Sequence, residues 1–99
     1  MNETCENIID EIYKTIEKRQ KEQPEGSYVC RILNDEKGIN KILEKVGEEC
    51  TETILAVKDG KKEEIIYETS DLIFHLLLML FECGVKPEEI EEELKRRHG

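Results

Sequence analysis

The chain has 99 residues, 24 of them acidic and 15 basic, for a formal net charge of −9. That length suits one domain with a modest core. The acidity excludes the basic face that duplex nucleic acid or an anionic membrane surface requires of a partner, and clustered carboxylates suit divalent cations or basic proteins instead. With 37% hydrophobic and 39% charged residues the chain is more polar than an average domain, yet it holds apolar runs that a disordered acidic tail lacks.

The pattern is helical nearly throughout. Ile8, Ile9, Ile12, Tyr13 and Ile16 recur at 3.6-residue spacing, which predicts a first helix over about residues 4–23 with Thr4 as its cap. Pro24-Glu25-Gly26-Ser27 breaks it. A short amphipathic piece follows, with Tyr28, Ile32 and Leu33 on one side and Gly38 closing it. Ile39, Ile42, Leu43, Val46, Cys50, Ile54 and Val57 mark a second long helix, ended by Asp59-Gly60. A third covers residues 61–83, with Gly84 just beyond, and Pro87 suits the first turn of a last helix whose Glu88 and Glu89 face its dipole favourably. No strand is expected. The tight turn between the two long helices makes them antiparallel.

Residues 72–81 are apolar all round the helix apart from His75. The run is too short to span a membrane, and a helix without a polar face must be covered on every side. Four or five helices can hardly enclose it alone. The expectation is therefore a single all-α domain, residues 1–99, an antiparallel helical bundle of four to five helices completed by homodimerisation. His75 reads as a satisfied core or interface residue rather than a ligand.

Cys5, Cys30, Cys50 and Cys83 include no C-x-x-C pair and no Cys/His cluster, so no structural zinc site is expected. The polar opening Met1-Asn2-Glu3-Thr4 does not resemble a secretory signal. A cytoplasmic location with free thiols follows, each thiol read as a small buried hydrophobe.

The acidic residues fall into two kinds. Residues 88–93 carry a glutamate run on a helix whose apolar content is only Ile90 and Leu94, which is a solvated face. Glu48-Glu49-x-x-Glu52 and Glu68-x-x-Asp71 instead lie on the two long helices, beside Val46, Cys50 and Ile54 and at the head of the apolar run. An i,i+3 pair shares one helix face. Two such pairs on antiparallel neighbours can converge, and four facing carboxylates repel unless hard cations sit between them. Oxygen-only ligands favour magnesium or manganese over zinc or copper. Glu-x-x-Glu also occurs at Glu3/Glu6, Glu22/Glu25, Glu88/Glu91 and Glu89/Glu92, so the spacing leaves a cation cage and ordinary surface acids both open.

The segment Lys45-Val46-Gly47-Glu48-Glu49-Cys50-Thr51-Glu52, with Glu68-Thr69-Ser70-Asp71 after it, resembles the E-E-x-x-E … E-x-x-D signature of the MazG-like all-α nucleotide pyrophosphatases. Within that superfamily the likeness is to the phosphoribosyl-ATP pyrophosphatase family. It extends through Pro24-Glu25-Gly26-Ser27-Tyr28, Lys37-Gly38-Ile39-Asn40-Lys41-Ile42, Ala56-Val57-Lys58-Asp59-Gly60 and Leu94-Lys95-Arg96-Arg97-His98-Gly99. Departures are Val29 and Cys30 after Ser-Tyr, Cys50 where a small residue is common, and Cys83 in the Glu-x-Gly turn. None is a carboxylate of the signature.

The resemblance implies hydrolysis of phosphoribosyl-ATP at its α–β phosphoanhydride. It implies magnesium, or manganese in its place, held by Glu49, Glu52, Glu68 and Asp71. Glu48, one residue from Glu49, points about 100° away round the helix and suits a supporting role or a base for the attacking water. Lys41 and Lys45 share a face with Glu49 and are candidate phosphate contacts, as are Arg96 and Arg97, which could equally complement the end of the last helix. The loop at Glu25-Gly26-Ser27-Tyr28 is a candidate cover for the substrate. Two other readings stand beside this one: a housecleaning pyrophosphatase of canonical or damaged nucleoside triphosphates, and a non-catalytic acidic helical module that binds a basic partner.

Overall fold

Apolar spacing and local caps divide the chain into five helices in the computed structural model, which describes residues 7–99: α1 (Ile8–Glu22), α2 (Tyr28–Leu33), α3 (Ile39–Asp59), α4 (Lys62–Cys83) and α5 (Pro87–His98). No strand occurs among the described residues. The expected cap Thr4 lies outside them, and α1 starts instead on Asn7, whose side chain accepts from the Asp10 amide at 2.9 Å. Asparagine at this position satisfies one of the amides a helix start leaves open. Gly38 does not close α2, which ends at Asn34. It sits just before α3 with φ 62°, a backbone conformation that glycine adopts without strain.

The α3–α4 hairpin is the centre of the fold. Gly60, at φ 72°, ends α3 with its amide on the Ala56 and Val57 carbonyls, a left-handed stop that lets the chain reverse within two residues. The helices then run antiparallel in fixed register. The Thr53 hydroxyl donates to the Glu68 carbonyl at 3.2 Å, the Glu49 and Asp71 carboxyls approach within 4.8 Å one turn further along, and Ile42 and Leu78 both lie in the core cluster beyond.

One core cluster is assembled from Tyr13 and Ile16 of α1, Val29 and Ile32 of α2, Ile42 of α3, and Leu77 and Leu78 of α4. The Tyr13 hydroxyl donates to the Val85 carbonyl at 3.0 Å, tying α1 to the α4–α5 turn. The buried face of α2 is Val29, Cys30 and Ile32. Tyr28, expected on that face, is partly exposed, because its hydroxyl is drawn toward α4. Cys30 is buried but Cys50 and Cys83 are exposed, contrary to the expectation of buried thiols; each lies on the outward side of its helix.

The apolar run of α4 is only partly enclosed. His75, Leu77 and Leu78 are buried, whereas Ile73 is exposed. Beyond it, Leu43, Ile54, Leu55, Val57, Ile66 and Tyr67 leave an apolar surface open along the hairpin. The radius of gyration is 15.0 Å, against about 13 Å for a compact chain of this length. Among the described residues no helix is long and apolar enough to cross a membrane.

Ile16 and Leu78 are fully buried, so truncating either leaves a cavity in the core that the surrounding helices fill only in part. Ile16→Ala and Leu78→Ala are each expected to cost about 2–5 kcal/mol, read from urea denaturation midpoints; losses under about 1 kcal/mol would contradict this core.

Candidate metal centre

Glu49 projects from the middle of α3 toward α4 and is only 7% exposed. A carboxylate placed there loses water and must find partners. It finds two of opposite kinds. Lys45, one turn back on the same helix, brings its ammonium to 3.7 Å, and the carboxyl of Asp71 on α4 comes within 4.8 Å. Burial first, and then the Asp71 carboxyl, push Glu49 up to about 7; Lys45 opposes this and Glu68 adds to it. Like charges crowded at one place ionise reluctantly until a cation joins them.

A third group closes this cluster. Ligating atoms of Glu49, Asp71 and His75 all lie within 4.8 Å of one another. His75 is buried, and both its ring nitrogens are engaged: Nδ1 lies 2.8 Å from the Asp71 carbonyl and Nε2 lies 2.8 Å from the Tyr28 hydroxyl. A carbonyl only accepts, so Nδ1 carries a proton, and in the neutral ring Nε2 accepts from Tyr28. Asp71 Oδ1 is a further 3.4 Å from Nδ1. The imidazole therefore braces Asp71, in keeping with its reading as a satisfied histidine. Tyr28 itself packs edge-on to His75, with ring centroids 5.7 Å apart. Sequence spacing places His75 one turn after Asp71, but nothing in it tells that Tyr28, 47 positions away, supplies the partner.

The remaining expected residues sit as follows. Glu68 is half-buried and close enough to act on Glu49. Glu52 is exposed, one turn beyond Glu49 on α3. Glu48 faces solvent and bonds Lys45 at 3.2 Å. Lys41 is half-buried one turn before Lys45. Arg96 and Arg97 both bond Glu93 on their own helix, Arg97 at 2.9 Å, and so join that carboxylate rather than those of α3 and α4. These bonds, Arg96 first, hold the Glu93 carboxyl below its usual range. Elsewhere in the α5 run Glu88, Glu89 and Glu92 are exposed, as a solvated face requires.

The donor set fits a hard divalent cation. Its oxygens come from carboxyl groups that are buried or half-buried, mutually repulsive, and matched within the cluster by a single ammonium. Magnesium and manganese prefer such oxygen ligands.

A family model described as phosphoribosyl-ATP pyrophosphohydrolase matches residues 9–98. Curated relatives include the phosphoribosyl-ATP pyrophosphatase of Methanococcoides burtonii, 54% identical over 97 residues, which is 98% of each chain. That of Methanosarcina barkeri is 54% identical over 92 residues, covering 93% of this chain and 88% of the relative. The phosphoribosyl-ATP pyrophosphatase of Geobacter metallireducens is 48% identical over 99 residues, covering 100% of this chain and 88% of the relative.

A carboxyl whose folded pKa lies above its usual 4.5 keeps a proton that the unfolded chain has shed. Stability from this group is full at low pH and falls as pH rises between about 4.5 and about 7. In chelator, Glu49→Gln is therefore expected to gain stability relative to the unsubstituted protein on going from pH 5 to pH 8, measured by urea midpoints. Added magnesium or manganese should stabilise the unsubstituted protein more at pH 8 than at pH 5. A difference between the two proteins that is flat with pH would contradict the shift.

Proposed function

The chain belongs to the phosphoribosyl-ATP pyrophosphohydrolase family, and from that membership we propose that it hydrolyses phosphoribosyl-ATP to phosphoribosyl-AMP and pyrophosphate, in histidine biosynthesis. The observation that carries the reading is that the match over residues 9–98 spans both helices that bring buried Glu49 and half-buried Asp71 together. Water attacks, the α–β anhydride breaks, and pyrophosphate leaves with the bonding electron pair. Such a displacement needs alignment and charge stabilisation more than a covalent intermediate.

Glu49 and Asp71, with Glu52 and Glu68 one turn along α3 and α4, are the residues that would hold magnesium, or manganese in its place. When bound, such an ion neutralises the polyphosphate and acidifies water held against it. The chain's own residues do the rest. His75, fixed by Tyr28, keeps Asp71 in place. Lys45 and Lys41 present two ammonium groups on the same face of α3 to the phosphates. Glu48, open to solvent beside Lys45, is the carboxylate left to accept the proton from the attacking water. Arg96 and Arg97 remain with Glu93 at the end of α5.

We further propose that the protomer works as a homodimer. The apolar surface at Ile54, Leu55, Ile66 and Tyr67 and the extended radius of gyration support this, since so open an apolar face is costly in water. Sedimentation at micromolar concentration should give twice the 11.6 kDa chain mass, and a stable monomer would remove this part of the reading.

Pyrophosphate release from phosphoribosyl-ATP and from a panel of nucleoside triphosphates, with and without magnesium, tests the activity. Turnover of phosphoribosyl-ATP that chelator abolishes is expected. Glu49→Gln and Asp71→Asn should each lower it about 100-fold or more while leaving the helical circular dichroism unchanged. Activity on the panel but not on phosphoribosyl-ATP would turn the reading to a housecleaning pyrophosphatase, and near-normal rates in both variants would remove these carboxylates from the site.

A further inference from the structure

A shallow hollow opens beside the carboxylate cluster, lined by Tyr28, Arg31, Ile32, Asp35 and Lys41. Its chemistry is opposite in sign to that of the cluster. Arg31 lies over the Tyr28 ring, its guanidinium carbon 5.6 Å from the centroid, and one of its nitrogens donates to the Gly26 carbonyl at 3.3 Å. That stacking and that bond hold the fork in place and leave further N–H donors free. Lys41 reaches the same hollow from α3. Among the described residues neither Arg31 nor Lys41 is matched by a carboxylate within ion-pair distance. Asp35, the one acid of the lining, accepts from the Lys37 amide at 2.9 Å. In a chain of net charge −9, two uncancelled cations converging on one hollow are a local reversal of sign.

The hollow is joined to the carboxylates by a short path. The Tyr28 ring forms one wall, its hydroxyl bonds His75, and His75 bonds Asp71. Lys45 lies one turn from Lys41 and reaches Glu49. A phosphate in the hollow would thus lie about one tyrosine and one imidazole away from the pair that grips the cation.

We infer that Arg31 and Lys41 form a phosphate subsite, which holds a terminal phosphate of the substrate that the divalent cation does not neutralise. The inference rests on the activity proposed above. Phosphoribosyl-ATP offers two such groups: the monoester on the added ribose, and the far end of the triphosphate. Both present the same dianionic, multidentate oxygen surface, which a guanidinium and an ammonium recognise by charge-assisted hydrogen bonds.

Arg31→Met and Lys41→Met keep the aliphatic stems and remove the charges, and Lys41→Arg keeps its charge. Steady-state kinetics with phosphoribosyl-ATP, together with inhibition by ATP and by inorganic pyrophosphate, read the subsite in the intact protein with magnesium present. KM for phosphoribosyl-ATP is expected to rise about 10- to 100-fold in each Met variant. The kcat should stay within about threefold, Lys41→Arg should restore KM, and the magnesium-dependent rise in melting temperature should be unchanged. Weakened substrate with unaltered ATP and pyrophosphate inhibition places the ribose monoester in the hollow. Equal weakening of all three places the end of the triphosphate there. A normal KM in both Met variants, in a protein that does turn over phosphoribosyl-ATP, overturns the subsite and leaves the activity standing. No turnover by the unsubstituted protein overturns the activity and the subsite with it.

Discussion

The close approach of the buried Glu49 carboxyl to the half-buried Asp71 carboxyl, within 4.8 Å across the α3–α4 hairpin, is the constraint on which the candidate site depends. Two acids do not approach one another across a helix interface by their own preference. They are held there because the α3–α4 register is set elsewhere: by the reversal at Gly60, by the Thr53 hydroxyl on the Glu68 carbonyl, and by Ile42 and Leu78 in the core. Apolar burial on one side of the hairpin imposes an electrostatic conflict on the other. A divalent cation would relieve that conflict, so the same constraint suits a binding site.

The short helix α2 serves this centre from outside. Its apolar side, Val29, Cys30 and Ile32, anchors it to the core. The Cys30 thiol adds a contact to the Arg19 carbonyl at 3.3 Å, and Ser27 caps the Cys30 amide at the same distance. With the helix so fixed, Tyr28 has its hydroxyl aimed at His75 and its ring available to Arg31. One side chain thereby links an acidic centre that suits a cation to a basic hollow that suits an anion. A nucleotide polyphosphate with its metal has both characters.

Net charge tells little about such a site. The glutamates of α5 are solvated or, in the case of Glu93, bound by Arg96 and Arg97 at a helix end where basic residues complement the dipole. They contribute to the −9 from a helix remote in sequence from the α3–α4 carboxylates. Glu49 is set apart from the solvated glutamates by its burial, and Arg31 and Lys41 are set apart from the paired basic residues by having no carboxylate within ion-pair distance among the described residues.

The five helices were legible from the chain because helix formation is local. The periodic isoleucines of α1, the Asp59-Gly60 stop and Pro87 at the start of α5 each act within a few residues, and the breaks fall where glycine and proline put them. The same locality made Glu49 and Asp71 visible as members of i,i+3 pairs beside apolar positions. Where local signals competed the reading slipped: Asn7 rather than Thr4 carries the observed cap, and Gly38 precedes α3 rather than ending α2. Tertiary structure decided what no spacing could. It buried Glu49 while leaving Glu52 exposed, joined Tyr28 to His75, and brought Arg31 and Lys41 to one hollow. The physical reason is distance along the chain. Neighbours within a helical turn are dictated by backbone geometry, but groups on different helices, 10 to 47 positions apart here, meet only when the packing of whole helices brings them together.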